Sequence, residues 1–159
     1  LSLWLYRCSF DSTPLFDGAR ITGSVGFPDC ALPGLRAEAC AIAGELALNA
    51  GCTIRGDLRL ARAVIGRDLD CARFVLRADG HEASVKRRPL VADNARVGGS
   101  VILGDGFEVD GEVRLVGARI AGDLRVGKAL IGARPTDTIK VDLPSGSAKY
   151  LVISVRHST

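Results

Sequence analysis

A short segment recurs five times along this chain of 159 residues, beginning at Ala19, Cys40, Ala63, Ala95 and Ala118. Its clearest copies read "ARITGSV", "CAIAGEL" and "ARIAGDL", at 19–25, 40–46 and 118–124. The steps between copies are 21, 23, 32 and 23 residues, and the long step contains "RADGHEASVKRR", a charged run with a glycine. With about ten residues removed there, the period is close to 22. A repeat of this length means that one unit is being stacked, and no unit can bury its apolar side alone.

Within each period apolar residues come in pairs, two positions apart. The first coil reads Leu3/Leu5, Cys8/Phe10, Pro14/Phe16 and Ala19/Ile21, and the second Val25/Phe27, Cys30/Leu32, Leu35/Ala37 and Cys40/Ile42. A helix spaces its apolar residues by three and four, and a long strand alternates without a break. Pairs that start every five or six residues describe very short extended segments separated by corners, four to a coil. Equivalent positions also match in volume. One column reads Leu3, Val25, Leu46, Leu69, Val101, Leu124; another reads Ile21, Ile42, Ile65, Val97, Ile120; a third, of small residues, reads Ala19, Cys40, Ala63, Ala95, Ala118. A core of Leu, Ile, Val and Ala, with 5% aromatics and no Met, suits such thin layers. Gly23, Gly44, Gly99 and Gly122 follow the Ile column, where a tight corner is expected to need positive φ, while Gly66 lies one position early.

This spacing resembles the pentapeptide-repeat proteins over residues 3–126, and "GARIAGDLRV" looks like a divergent bacterial branch with longer coils. The resemblance implies an all-β fold, a four-sided right-handed parallel β-helix of about 22 residues per coil. Faces of six residues interrupt the family's strict five, and its Asp/Asn is often missing. The expected organisation is a β-helical repeat domain at 1–126 with an insertion loop at 77–89, followed by a C-terminal hairpin or cap at 127–159.

The tail, "GKALIGARPTDTIKVDLPSGSAKYLVISVR" at 127–156, resembles the end of the C-terminal domain of Gre-type transcript cleavage factors. Ala129-Leu130-Ile131-Gly132, Asp137 and the Pro144-Ser145-Gly146 turn match, while Thr136 stands where that family has Gly. The acidic coiled-coil tip on which that family's cleavage depends has no counterpart here, so cleavage is not carried over. Physically, "TIKVDL" and "YLVISV" alternate around a glycine-containing turn and predict a β-hairpin. It reads either as a cap turning Ile139, Val141, Leu151 and Ile153 over Leu124 and Val126, or as an element that contacts RNA polymerase.

No motif in the sequence points to a reaction. Five cysteines occupy inward positions without zinc spacing, and stacked in-register side chains fit disulfide geometry poorly. They read as buried reduced thiols, which points to a cytoplasmic location. His81 and His157 share no coil face with a carboxylate, and no nucleophile triad or phosphate loop appears. "GDGFEVDGE" at 104–112 resembles a calcium loop, but Phe107 and Val109 fill core columns. No catalytic residue, cofactor or metal is expected. No apolar run could span a bilayer. The opening "LSLWLYRCSF" turns polar by its seventh residue, unlike a signal peptide, and a start at Leu1 reads as a fragment or processed form.

Two outward-facing groups remain. Arg20, Arg96 and Arg119 lie on one face and Arg36, Arg59 and Arg114 on the face before it; with Arg62 and "KRR" at 86–88 they are a candidate stripe for an anionic partner. Asp57, Asp68, Asp70 and Glu38 lie close in sequence, so the same pattern also describes an ordinary solvated face. A net charge of +3 is a weak argument for nucleic acid. Val64, Val75, Val91 and Ile102 are a candidate apolar partner patch if the faces bring them together. The expected function is a non-catalytic scaffold or protein-interaction module, with a protein partner or self-association. The alternative is a transcription-associated factor contacting RNA polymerase through the Gre-like tail.

Overall fold

The computed structural model describes residues 1–77, 88–104, 106–109 and 113–125, and the backbone of 126, 138–144 and 148–154. The described residues contain no helix; stacked parallel strands form a β-solenoid of about five turns with four faces. Face I holds Leu3–Trp4 (β1), Val25–Gly26 (β3), Leu46–Ala47 (β7), Leu69–Asp70 (β11), Val101–Leu103 (β15) and Leu124–Val126 (β19). Face II holds Ala31–Leu32 (β4), Thr53–Ile54 (β8), Val75–Leu76 (β12) and Glu108–Val109 (β16). Face III holds Leu35–Arg36 (β5), Leu58–Arg59 (β9), Leu90–Val91 (β13) and Val113–Leu115 (β17). Face IV holds Arg20–Ile21 (β2), Ala41–Ile42 (β6), Val64–Ile65 (β10), Arg96–Val97 (β14) and Arg119–Ile120 (β18).

Register follows the columns read from the sequence. Leu3 pairs with Val25, Val25 with Leu46, Leu46 with Leu69, Leu69 with Val101 and Val101 with Leu124. Ile21, Ile42, Ile65, Val97 and Ile120 stack likewise on face IV. From Val25 to Ile120 the expected inward pairs form one buried core, and Ala47 is the single buried hydrophobic outside them among the described residues. In the first coil Leu5, Cys8, Phe10, Phe16 and Ile21 are only half-buried, because no coil lies on their outer side there. The expected insertion falls between face II and face III; residues 78–87 lie outside the described residues.

The corners work in two ways, and one differs from expectation. Corners entering faces II and IV place a residue in the left-handed region: Arg7, Asp29, Ala50 and Arg73 before face II, and Gly18, Ala39, Arg62, Asn94 and Gly117 before face IV. Most are closed by a turn hydrogen bond, such as Ala63 N–H to Leu60 C=O at 3.0 Å, with Arg62 at the position where a type II turn needs positive φ. Gly23, Gly44, Gly99 and Gly122 are not among the positive-φ residues. They are needed for space. In the coil beneath, a short side chain turns up and its oxygen accepts the amide of the residue after the glycine. Ser2 Oγ accepts Ser24 N–H at 3.0 Å, Ser24 Oγ accepts Glu45 N–H at 3.1 Å, Asp68 Oδ1 accepts Ser100 N–H at 2.7 Å and Ser100 Oγ accepts Asp123 N–H at 3.0 Å.

A Cβ on Gly122 would lie 2.6 Å from Ser100 Oγ and 2.8 Å from the Gly99 carbonyl carbon. The exception obeys the same rule. Glu45 makes no such bond to the Asp68 amide among the described residues, and above Glu45 the glycine position is taken by Arg67, with Gly66 displaced one residue earlier.

The hairpin strands, Thr138–Pro144 (β20) and Ala148–Ser154 (β21), pair antiparallel. β20 adds in parallel to β17 on face III, with Arg114 opposite Lys140 and Leu115 opposite Val141. The hairpin therefore continues the third face beyond β17. The expected placement of Ile139, Val141, Leu151 and Ile153 over Leu124 and Val126 concerns side chains outside those described.

Cys8, Cys30 and Cys52 precede paired positions on face II and stack with Phe74 and Phe107. All five cysteines are free, and only Cys8 is not fully buried. Burial pushes the Cys40 thiol up to about 11 and Cys52 up to about 12, and raises Cys71 further. Burial also raises Cys30, whose thiol donates to the Leu5 carbonyl at 3.0 Å.

Three measurements check these assignments. Gly99→Ala should cost about 1–3 kcal/mol by overpacking against the Arg67 backbone, whereas Arg67→Ala should leave the melting temperature nearly unchanged; Ile65→Asp, a charge in a dry column, should cost more than either. Native protein at pH 8 should expose one thiol, Cys8, to a disulfide reagent, and all five only on unfolding. Because the buried thiols bind their protons more tightly folded than unfolded, stability should be full below about pH 9 and fall as pH rises towards 11–12. A flat stability profile across that window contradicts the inward assignment of Cys40 and Cys52.

Candidate functional site

The solenoid sends every second strand residue outward, so each face carries a column of side chains about 4.8 Å apart. On face III the outward column reads Leu15, Arg36, Arg59, Val91 and Arg114, with Lys140 at the next register position. Its three arginines are all paired with corner acids. Arg36 Nη2 lies 2.8 Å from Asp17 Oδ2, Arg59 Nη2 2.8 Å from Asp57 Oδ2 and Arg114 Nε 2.6 Å from Asp93 Oδ2. Asp17 and Asp93 do double duty, since their Oδ1 atoms accept the amides of Glu38 at 2.9 Å and Val116 at 3.1 Å in the coil above. A shallow groove of about 380 Å³ beside them is lined by Thr13, Gly34, Arg36, Glu38, Asp57 and Arg59. These ion pairs are half-exposed and contribute little stability each. Their effect is to cancel the charge of the face.

Face IV is different. Its outward column reads Arg20, Ala41, Val64, Arg96 and Arg119. Arg96 and Arg119 are direct neighbours, whereas Ala41 and Val64 separate Arg20 from them. Arg62 stands at the corner entering the face with φ 59°, and Arg67 at the corner leaving it. All five arginines are exposed, and none makes an ion pair among the described residues. Of the nearby acids, Asp93 turns to Arg114 on face III, Asp68 to the Ser100 amide and Asp123 to Arg125 at 3.8 Å, while Glu45, one coil from the Arg67 corner, makes no ion pair among the described residues.

The arginine stripe expected from the sequence is thus split. Arg36, Arg59 and Arg114 are neutralised and Arg20 stands apart, while Arg62, Arg96 and Arg119 lie on the same half of face IV or at its corner, with Arg67, not singled out by the repeat pattern, at the opposite corner. The displaced Gly66 was the signal that this corner differs. Of "KRR", only Arg88 is described, and it is exposed. The apolar patch does not form. Val64 lies on face IV, Val75 on face II, Val91 on face III and Ile102 on face I, so no side of the solenoid presents them together.

Among the described residues no group of three or more His, Cys, Asp or Glu is placed to hold a metal ion, and no helix is long and apolar enough to cross a membrane. Asp105 and residues 110–112 of the acidic "GDGFEVDGE" run lie outside the described residues, as do His81, His157 and the tail motif around Ala129–Gly132.

No family model matches the chain, and no solved structure matches it. Among curated proteins it is similar to the transcription elongation factor GreA of two Clostridium kluyveri strains, ATCC 8527 and NBRC 12016. In each case 31% of 68 residues are identical, covering 36% of this chain and 43% of the factor. The chain therefore spans less than half the length of the curated relatives it matches. A likeness of that extent concerns a segment and not a whole protein.

Proposed function

We propose that this chain is a non-catalytic interaction module, a rigid solenoid that offers its outer faces to a partner. The observation that supports it is the division of labour within each coil. Inward positions from Val25 to Ile120 are apolar and buried, and charged side chains stand outside at fixed register on flat faces. Such a surface holds charged groups at fixed spacing, which is what recognition uses. The four faces and the large-and-small inward pairs favour the pentapeptide-repeat type of solenoid. The free, mostly buried thiols suit a reducing compartment such as the bacterial cytoplasm.

A second reading has its own support in the partial similarity to GreA and the Gre-like motif of the tail: a transcription-associated factor that contacts RNA polymerase through residues 127–156. The two place the partner contact on different parts of the chain. Immobilised full-length chain and a chain ending at Arg125 should be challenged with purified RNA polymerase. Under the module reading the two forms behave alike. Retention by the full-length chain, lost on truncation while the solenoid still melts normally, replaces it with the second reading.

A further inference from the structure

We propose that the C-terminal half of face IV, through Arg62, Arg67, Arg96 and Arg119, binds the phosphate backbone of duplex nucleic acid without reading its sequence. The inference deepens the interaction-module reading, on which it rests, by naming the partner's chemistry.

It starts from a contrast within one molecule. Arginines at equivalent outward positions are paired at 2.6–2.8 Å on face III and carry no ion pair on face IV. Unpaired guanidinium groups on neighbouring rungs repel one another, and an anion bound across them relieves that repulsion. The four groups spread over coils three to five, two rung spacings or about 10 Å, and over the width of the face from the Arg62 corner to the Arg67 corner. A duplex presents one negative charge per about 1.7 Å of its axis, so such an array meets several phosphates without any particular register. Guanidinium is also the side chain whose planar fork fits phosphate oxygens.

The surroundings narrow the partner further. Arg96 and Arg119 adjoin in the outward column and Val64 and Ala41 precede them, with no aromatic ring in the column, so unstacked bases of a single strand find no platform. The inner strands of face IV have their backbone groups engaged with the coils on both sides, as in Val64 N–H to Cys40 C=O and Arg96 N–H to Ala63 C=O, both 2.8 Å. An acidic peptide laid across these inner strands has no free main chain to pair with. What the face offers is charge at fixed spacing, which is what a sequence-independent phosphate contact uses.

The test is fluorescence anisotropy of the full chain with a labelled 20-base-pair DNA duplex of mixed sequence between 50 and 200 mM salt. Four phosphate contacts predict a slope of log K against log salt of about −3.6, a loss of roughly 10²-fold in affinity across that range. Arg96→Gln with Arg119→Gln, both exposed, should keep the wild-type melt and reduce the slope to about −1.8. Arg36→Gln with Arg59→Gln on face III should leave the slope unchanged. The proposal is overturned by no duplex binding at 50 mM salt, by a slope insensitive to the face IV pair, or by equal sensitivity to both pairs. Tighter binding of a single strand of the same length, or of polyglutamate, overturns it in favour of a different partner. None of these arms involves RNA polymerase or the tail, so a failure here is separate from the outcome of the truncation experiment.

Discussion

Everything in this structure depends on hydrogen bonds that run from coil to coil. Leu46 N–H reaches Asp68 C=O at 3.0 Å, Leu48 N–H reaches Asp70 C=O at 2.7 Å, and the pattern repeats on each face. Because these bonds join residues one period apart, they set each side chain against its own counterpart in the next layer. Volume matching down a column is a consequence of that geometry: Ile65 packs between Ile42 and Val97 because its backbone is paired with theirs. The corners are selected by the same constraint. A layer spacing near 4.8 Å leaves no room for a Cβ above an upturned serine or aspartate, and the glycines at 23, 44, 99 and 122 follow from it.

The first coil shows what the neighbours contribute. It has the same inward pairs as the others, yet Leu3 and Trp4 are each 37% exposed, while their register partners Val25 and Gly26 are buried. Phe10 and Phe16 meet Phe27 edge-on at 5.9 and 6.2 Å and cover part of that end. On the outside, the Trp4 ring lies directly against Gly26, where any side chain would collide with it. Burial in a solenoid belongs to the stack and not to the unit, as expected when each repeat contacts only those beside it.

How much of this was legible depended on whether a property repeats. The inward columns could be read because burial imposes the same volume at each period, and all the expected pairs from Val25 to Ile120 are in the core. The glycines at the corners were visible, but their cause was not, since positive φ and close approach both select glycine. The left-handed corners escaped notice because Arg7, Asp29, Ala39 and Asn94 carry no common side chain; the turn imposes a backbone state and the ladders on either side hold it. The arginines could be listed but not sorted. Whether Arg36 is neutralised depends on Asp17 nineteen positions earlier lying at the adjoining corner, and one residue's difference in face length moves such a partner to another side. The valines failed as a patch for the same reason, since an outward position gives no indication of which of four directions is outward.

The step from Leu69 to Val101 spans 32 residues where its neighbours span 23, yet Leu69 and Val101 are in register, as are Val75 with Glu108 and Leu90 with Val113. The extra length lies between Leu76 and Leu90, and the strands on either side keep their register with the coils next to them. Closing a longer loop costs little more entropy than closing a short one, and both anchor strands are held by other coils. Each corner of such a fold is therefore a port, where new sequence can enter without renegotiating the core. A chain built this way can acquire a new recognition loop in one insertion event, while the stack that carries it keeps its stability.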